Sequence, residues 1–270
     1  MATMSIDSSN SIWYEHTPPA TQSGATFVFF NALSGSLEMW QANIAPALHT
    51  AGHGTLLYNM RGQAGSAFTD ASATHPDAIV SDAVALITHV KPSNPVYVGL
   101  SIGGLFAVNA HLGGAPARGI LTLNTLRVDG ARLEWINTAV TRATELGGSA
   151  LVMDLYAPML FGEDWLAANR ANALNPSQHV PLEVKSGVYG LLSHGGDASW
   201  NVPWEDVDVP VTVVTGLKDR VFYTEADVSA ICDRMPRAER LDVPEAGHMV
   251  PLEQPQKVTD ALLALARRIQ

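Results

Sequence analysis

The stretch Asn94–Leu112, NPVYVGLSIGGLFAVNAHL, decides the fold. It opens as a continuous apolar run of the kind buried in a parallel sheet, passes through Gly99-Leu100-Ser101-Ile102-Gly103, and continues with helix-compatible composition. A strand that turns sharply into a helix forces its turning residue into a strained backbone conformation, and small neighbours let strand and helix approach closely. Gly99 and Gly103 meet that need. The turn lifts the Ser101 hydroxyl above the carboxyl edge of the sheet, where ligands of open α/β sheets bind, and points the first free helix amides at the same spot. Ser101 therefore reads as a nucleophile and the Ile102 N–H as an oxyanion donor, against the plainer reading of a tight turn.

Outward from this point the rhythm repeats. ATFVFFNA, GTLLYNM and RGILTLNTL read as strands, and LEMWQANIAPALHTA and HPDAIVSDAVALITHV as the helices between them, with strand runs starting at Ala25. That alternation predicts an α/β fold with a mostly parallel sheet flanked by helices. The earlier SSNS and TPPATQSG segments read as turns or an exposed leader. After Leu126 the strands stop, and they resume at VPVTVVTG and ERLDVPEAG. Residues 1–126 and 206–270 thus form the expected core. Residues 127–205, broken by GG, NP and VP pairs and holding Trp135, Trp165, Trp200 and Trp204, form an expected helical cap inserted after the sixth strand. Each tryptophan alone is best read as packing; together they include candidates for facing a ligand.

A serine hydroxyl needs a base within reach and a carboxylate to orient that base. His248 lies in LDVPEAGHMVPLEQP, just past the last strand run and before the final helix. Asp219 lies three residues beyond Gly216, at the end of the preceding strand, and the chain order Ser, Asp, His matches a nucleophile-elbow hydrolase. Asp129, after the GILTLNTL strand, is the competing acid. His53-Gly54 precedes its strand and His194-Gly195-Gly196 lies in the cap, so both read as turns rather than oxyanion motifs.

On these residues the chain resembles the α/β-hydrolase fold superfamily along nearly its whole length. FFNALSGSLEMWQANIAPAL followed by YNMRGQAGSAF looks most like the serine-nucleophile esterase and lactonase branch that includes 3-oxoadipate enol-lactonases. The superfamily's His-Gly-x oxyanion loop is matched by Asn31-Ala32-Leu33, which implies the Leu33 N–H as second oxyanion donor. Its Arg-Gly-His-Gly turn appears as Arg61-Gly62-Gln63-Ala64, a structural element. The resemblance implies an ester or lactone hydrolase with Ser101, Asp219 and His248 as triad and with no cofactor. Asn31, Arg127, Trp135 and Trp165 are the candidate substrate contacts, Arg127 as a cation for a carboxylated substrate or else as a surface partner of Asp129. Carbon–carbon hydrolase, thioesterase and amidase activities stay open, as does a ligand receptor built on the same scaffold.

Composition narrows the partners. Among 270 residues, 26 acidic against 16 basic side chains give a net charge of −10 with no clustered basic stripe, which argues against nucleic acid and anionic membranes. The lone Cys232 has no disulfide partner and reads as a buried or helical thiol; no Cys/His spacing suggests a metal, and neither G-x-x-x-x-G-K-[ST] nor G-x-G-x-x-G occurs. The expectation is a soluble cytoplasmic protein with a small-molecule substrate, its oligomeric state open and a homodimer included.

Overall fold

The computed structural model describes residues 1–269. Eight strands, β1 Ala2–Ser5, β2 Ser11–Thr17, β3 Thr26–Phe30, β4 Gly54–Asn59, β5 Pro95–Leu100, β6 Gly119–Leu123, β7 Val211–Gly216 and β8 Ala238–Val243, form one sheet in the order β1-β2-β4-β3-β5-β6-β7-β8. β2 is antiparallel to both neighbours, and every other pairing is parallel. The helices are α1 Glu38–Asn43, α2 Ala45–Thr50, α3 Pro76–Val90, α4 Ile102–Leu112, α5 Ala131–Leu160, α6 Glu163–Asn169, α7 Gly187–His194, α8 Glu225–Arg234, α9 Val250–Glu253 and α10 Pro255–Arg268.

Every residue of β3, β4, β6 and β7 is buried, as required of strands covered on both faces, and this explains their unbroken apolar runs. Ile79, Leu86, Phe106, Val228 and Ile231 of α3, α4 and α8 cover one face. Trp40, Leu48, Val258, Leu262 and Leu265 of α1, α2 and α10 cover the other, the last three at the spacing of a helical stripe. No helix among the described residues is long and apolar enough to cross a membrane. Cys232 lies half-buried on α8.

The strand pattern begins earlier than the expected Ala25. SSNS and TPPATQSG lie largely in turns, but between and before them β1 and β2 extend the sheet at its β4 edge. β2 is only half-buried and reads SIWYEHT, with no apolar run to announce it. Its place is set by backbone pairing from Trp13↔Asn59 to Thr17↔Thr55, a partnership across some forty residues of chain that local pattern cannot report. Between β6 and β7 the chain leaves the sheet for α5, α6 and α7, and α5 bends at Gly147-Gly148, where Gly148 adopts φ 67°.

At the β5–α4 turn Ser101 has φ 56° and ψ −127°. A methyl group on Gly103 would overlap the Phe30 carbonyl, and one on Gly99 would overlap the Gly104 backbone. Gly103→Ala should therefore lower stability by about 1–3 kcal/mol, since the obstacle is main chain that cannot rotate aside. Thermal unfolding followed by circular dichroism should place its midpoint several degrees below the parent.

Candidate active site

Ser101 occupies a backbone region that costs a non-glycine residue about 1–3 kcal/mol, and it stays there because its amide donates to Leu123 O at 2.8 Å while its carbonyl accepts from Gly104 N at 3.0 Å. The Ile102 amide opens α4 and makes no backbone hydrogen bond among the described residues, nor does the Leu33 amide at the end of the β3 loop. These are the two groups the sequence nominates as oxyanion donors. The β3 loop takes its shape from side-chain amides. Gln63 Nε2 donates to Ala32 O (2.8 Å) and Leu33 O (3.2 Å), and Asn31 Nδ2 faces Tyr58 O (2.9 Å), Gln63 Oε1 (2.9 Å) and Asn59 Oδ1 (3.1 Å). Asn31 Oδ1 accepts from Trp40 Nε1 at 2.7 Å. Asn31, nominated as a substrate contact, has 0% exposure and its polar atoms committed to protein partners, so that it braces the loop.

Asp219 and His248 are brought together. The Asp219 Oδ2 to His248 Nδ1 distance is 2.7 Å, and the two residues are 2% and 5% exposed. Asp219 Oδ1 accepts from the Val221 and Phe222 amides at 3.0 and 2.9 Å, so both oxygens have fixed partners. Asn124 holds this loop to the sheet. It sits at φ 46°, accepts from Gly216 N through Oδ1 (2.9 Å) and donates through Nδ2 to Asp219 Oδ2 (3.3 Å). The competing acid, Asp129, is engaged elsewhere, accepting from Trp200 N at 3.1 Å.

The loops carrying these groups are tied to the end of α5. His248 N donates to Leu160 O (2.6 Å), Arg220 N to Met159 O (2.8 Å), and the half-buried Glu253 carboxylate accepts from Gly162 N (2.6 Å) and Gly247 N (2.9 Å). Burial holds the Glu253 carboxyl above the usual range despite those amides. Sequence reading missed Glu253, Asn124 and Phe222. The one signal for Glu253 was an acid set among apolar and proline residues, five positions after His248.

Of the side chains nominated for substrate, Arg127 hydrogen-bonds to Ser101. Its Nη2 donates to Ser101 Oγ at 3.1 Å and to Asn124 O at 2.9 Å, and its Nε to Thr125 O at 3.1 Å. The guanidinium lies 4.5 Å from the Trp200 ring centroid and 4.3 Å from that of Phe222, whose ring is also 4.8 Å from the His248 ring. Asp129 is not its ion-pair partner, and no described carboxylate lies within 4 Å of it. Burial pulls the Arg127 pKa down to about 10, against the pull of the Asp219 charge, so the group remains a cation at neutral pH. Trp135 is 79% exposed on α5, and Trp165 stacks on Phe161 at 3.7 Å. Trp200 and Trp204 are buried in the core. Among the described residues no hydrogen bond joins Ser101 to His248, and His248 Nε2 makes none. Neither His-Gly segment is the expected turn: His53 precedes β4, whose first residue is Gly54, and its Nδ1 accepts from Ala25 N, while His194 ends α7, pairs with Asp197 and leads into a 3-10 helix over Gly195–Asp197.

Burial pushes the Asp219 carboxyl up, but the His248 imidazole and the loop amides pull it further down, to about 2. A folded-state pKa below the unfolded value stabilises the fold above about pH 4, and the contribution fades as pH falls toward 2. Asp219 should thus account for about 2 kcal/mol lost over that interval, a component absent in Asp219→Asn. Urea melts of both proteins from pH 5 to pH 2 measure the difference.

Comparison with known proteins agrees with this architecture. A family model described as the alpha/beta hydrolase family matches residues 27–261. The 3-oxoadipate enol-lactonase 2 of Acinetobacter baylyi is 24% identical over 245 residues, covering 89% of this chain and 88% of the relative. Among solved structures, MGS-M2, an α/β hydrolase from a Medee basin deep-sea metagenome library, superposes with TM-score 0.85 at 15% identity over 98% of this chain and 96% of its own. The enol-lactonase of Burkholderia xenovorans gives 0.78 at 19% identity over 95% and 96%. An eight-stranded sheet carrying a serine at its strand–helix turn and a family match across most of the length lead to one assignment: this chain belongs to the alpha/beta hydrolase family.

Proposed function

We propose that the protein is a serine hydrolase that cleaves a carboxylic ester or lactone through an acyl-enzyme on Ser101. The observation that carries this reading is the buried 2.7 Å contact between Asp219 and His248 Nδ1, in the same site as a serine held at positive φ. A proton on Nδ1 directed at the carboxylate leaves the Nε2 lone pair to act as base. His248 takes the Ser101 proton as the oxygen attacks the carbonyl, the Ile102 and Leu33 amides receive the oxyanion, and the leaving alcohol departs with the proton from His248. Hydrogen bonds between nucleophile and base are commonly long before substrate arrives and tighten in the reacting complex. Water then repeats the sequence on the acyl-enzyme.

The enol-lactonase relatives favour esters and lactones over thioesters, amides or carbon–carbon bonds, which the same machinery can also attack. A receptor that kept the scaffold would release at most one equivalent of product. Wild type should turn over short-chain p-nitrophenyl esters or lactones repeatedly, and Ser101→Ala should lower kcat by about 10⁴-fold or more while still binding substrate. Unchanged turnover in Ser101→Ala would remove the serine from the mechanism. A panel pairing lactones with thioesters and amides of the same acyl group identifies the bond cleaved.

A further inference from the structure

A guanidinium desolvated to this degree is expensive, and an anion normally compensates it. Arg127 is 6% exposed and has no such anion within 4 Å. Its direct contacts are neutral, two backbone carbonyls and the faces of two aromatic rings besides the Ser101 hydroxyl, and the Asp219 charge acts on it only from beyond 4 Å. Cation–π contacts and carbonyl acceptors keep the charge in place without cancelling it. Both Nη2 hydrogens are committed, one to Asn124 O and the other to Ser101 Oγ, so the cation is rigidly aimed at the atom that forms and breaks the acyl bond. Nothing in simple packing calls for a fixed positive charge at that oxygen.

We propose that Arg127 is a catalytic residue that drives deacylation by stabilising Ser101 Oγ as it leaves the acyl carbon. The inference rests on the serine-hydrolase reading above. During acylation a donor on Oγ has opposing effects, since it eases loss of the proton but withdraws the electron pair that must attack. During deacylation the effects act together. His248 takes a proton from water as the water oxygen bonds to the acyl carbon. The C–Oγ bond then breaks, its electron pair goes to Oγ, and His248 returns the proton to that oxygen while Arg127 Nη2 already donates to it. The products are the free carboxylic acid and the regenerated serine. The Trp200 and Phe222 rings act as positioning residues because they hold the guanidinium plane.

The test is single-turnover acetylation by p-nitrophenyl acetate, with the acetyl-enzyme followed by intact-protein mass and the nitrophenolate burst followed by absorbance. In Arg127→Gln and Arg127→Met the acetyl group on Ser101 should persist on the order of 10- to 100-fold longer than in wild type, the worth of one charge-assisted hydrogen bond, with a smaller change in burst rate. Arg127→Lys, which keeps the cation but loses the fork, should fall between these variants and wild type. Trp200→Phe, with a smaller ring under the guanidinium, should lengthen the acetyl lifetime by a few-fold, and this measurement decides the matter if the Arg127 variants do not fold. An unchanged lifetime, a burst slowed as much as deacylation, or a loss confined to KM for carboxylated esters would each overturn the proposal, the last by making Arg127 a substrate anchor. Failure of the underlying reading looks different: wild type itself would acquire no acetyl group that Ser101→Ala abolishes.

Discussion

The site depends on how closely α4 can lie against β5. Backbone meets backbone at Gly99 and Gly104, and at Gly103 and Phe30, and this contact leaves Ser101 no alternative to a strained left-handed turn. The buried sheet maintains the strain through the Leu123 carbonyl, which binds the Ser101 amide from the neighbouring strand. Once α4 is fixed there, its first amide stands beside the serine. The order β3-β5-β6-β7-β8 then arrays the remaining pieces along one carboxyl edge: the Leu33 loop after β3, Arg127 after β6, Asp219 after β7 and His248 after β8.

Neutral amides do most of the bracing around that edge. Asn31 and Gln63 shape the β3 loop, and Asn124 joins the loop after β7 to the sheet. A side-chain amide satisfies buried donors and acceptors at a lower desolvation cost than an ion. Beside Ser101 the ionisable side chains are the Asp219–His248 pair and Arg127, while Glu253 braces the loops from the other side of His248 in sequence. Asn31 in place of histidine belongs to this scheme, since its Oδ1 accepts from Trp40 while its Nδ2 serves carbonyl oxygens.

The segment between β6 and β7 is tied to the loops that carry Asp219 and His248. Leu160 and Met159 carbonyls accept from the His248 and Arg220 amides, and Glu253 clasps Gly162 to Gly247, so the end of α5 forms one wall of both functional loops. A rearrangement of α5 would therefore be felt at Asp219 and His248 together. Trp200, from the same segment, packs on Arg127, while Trp135 faces outward.

The positions of Ser101 and Asp219 were legible because each follows a buried apolar strand at a glycine-punctuated turn, and that of His248 because a loop punctuated by glycine and proline follows the last strand, whose residues are mostly exposed. Such patterns record local backbone demands. The α/β rhythm was legible for the same reason, and the family match bears it out. β1 and β2 were not, because an edge strand is half-solvated and its pairing is decided by a distant partner. Nor could the chain order tell that Asn31 would be sealed behind the β3 loop, that Asp129 would bind the Trp200 amide, or that Arg127 would settle on Ser101 Oγ between two rings. By itself the sequence determined which residue types sit at the strand ends, since turn geometry and burial are written over a few neighbouring positions. Tertiary structure alone decided which of those side chains face one another, because contacts between loops dozens of residues apart depend on strand order and helix packing, which no local pattern encodes.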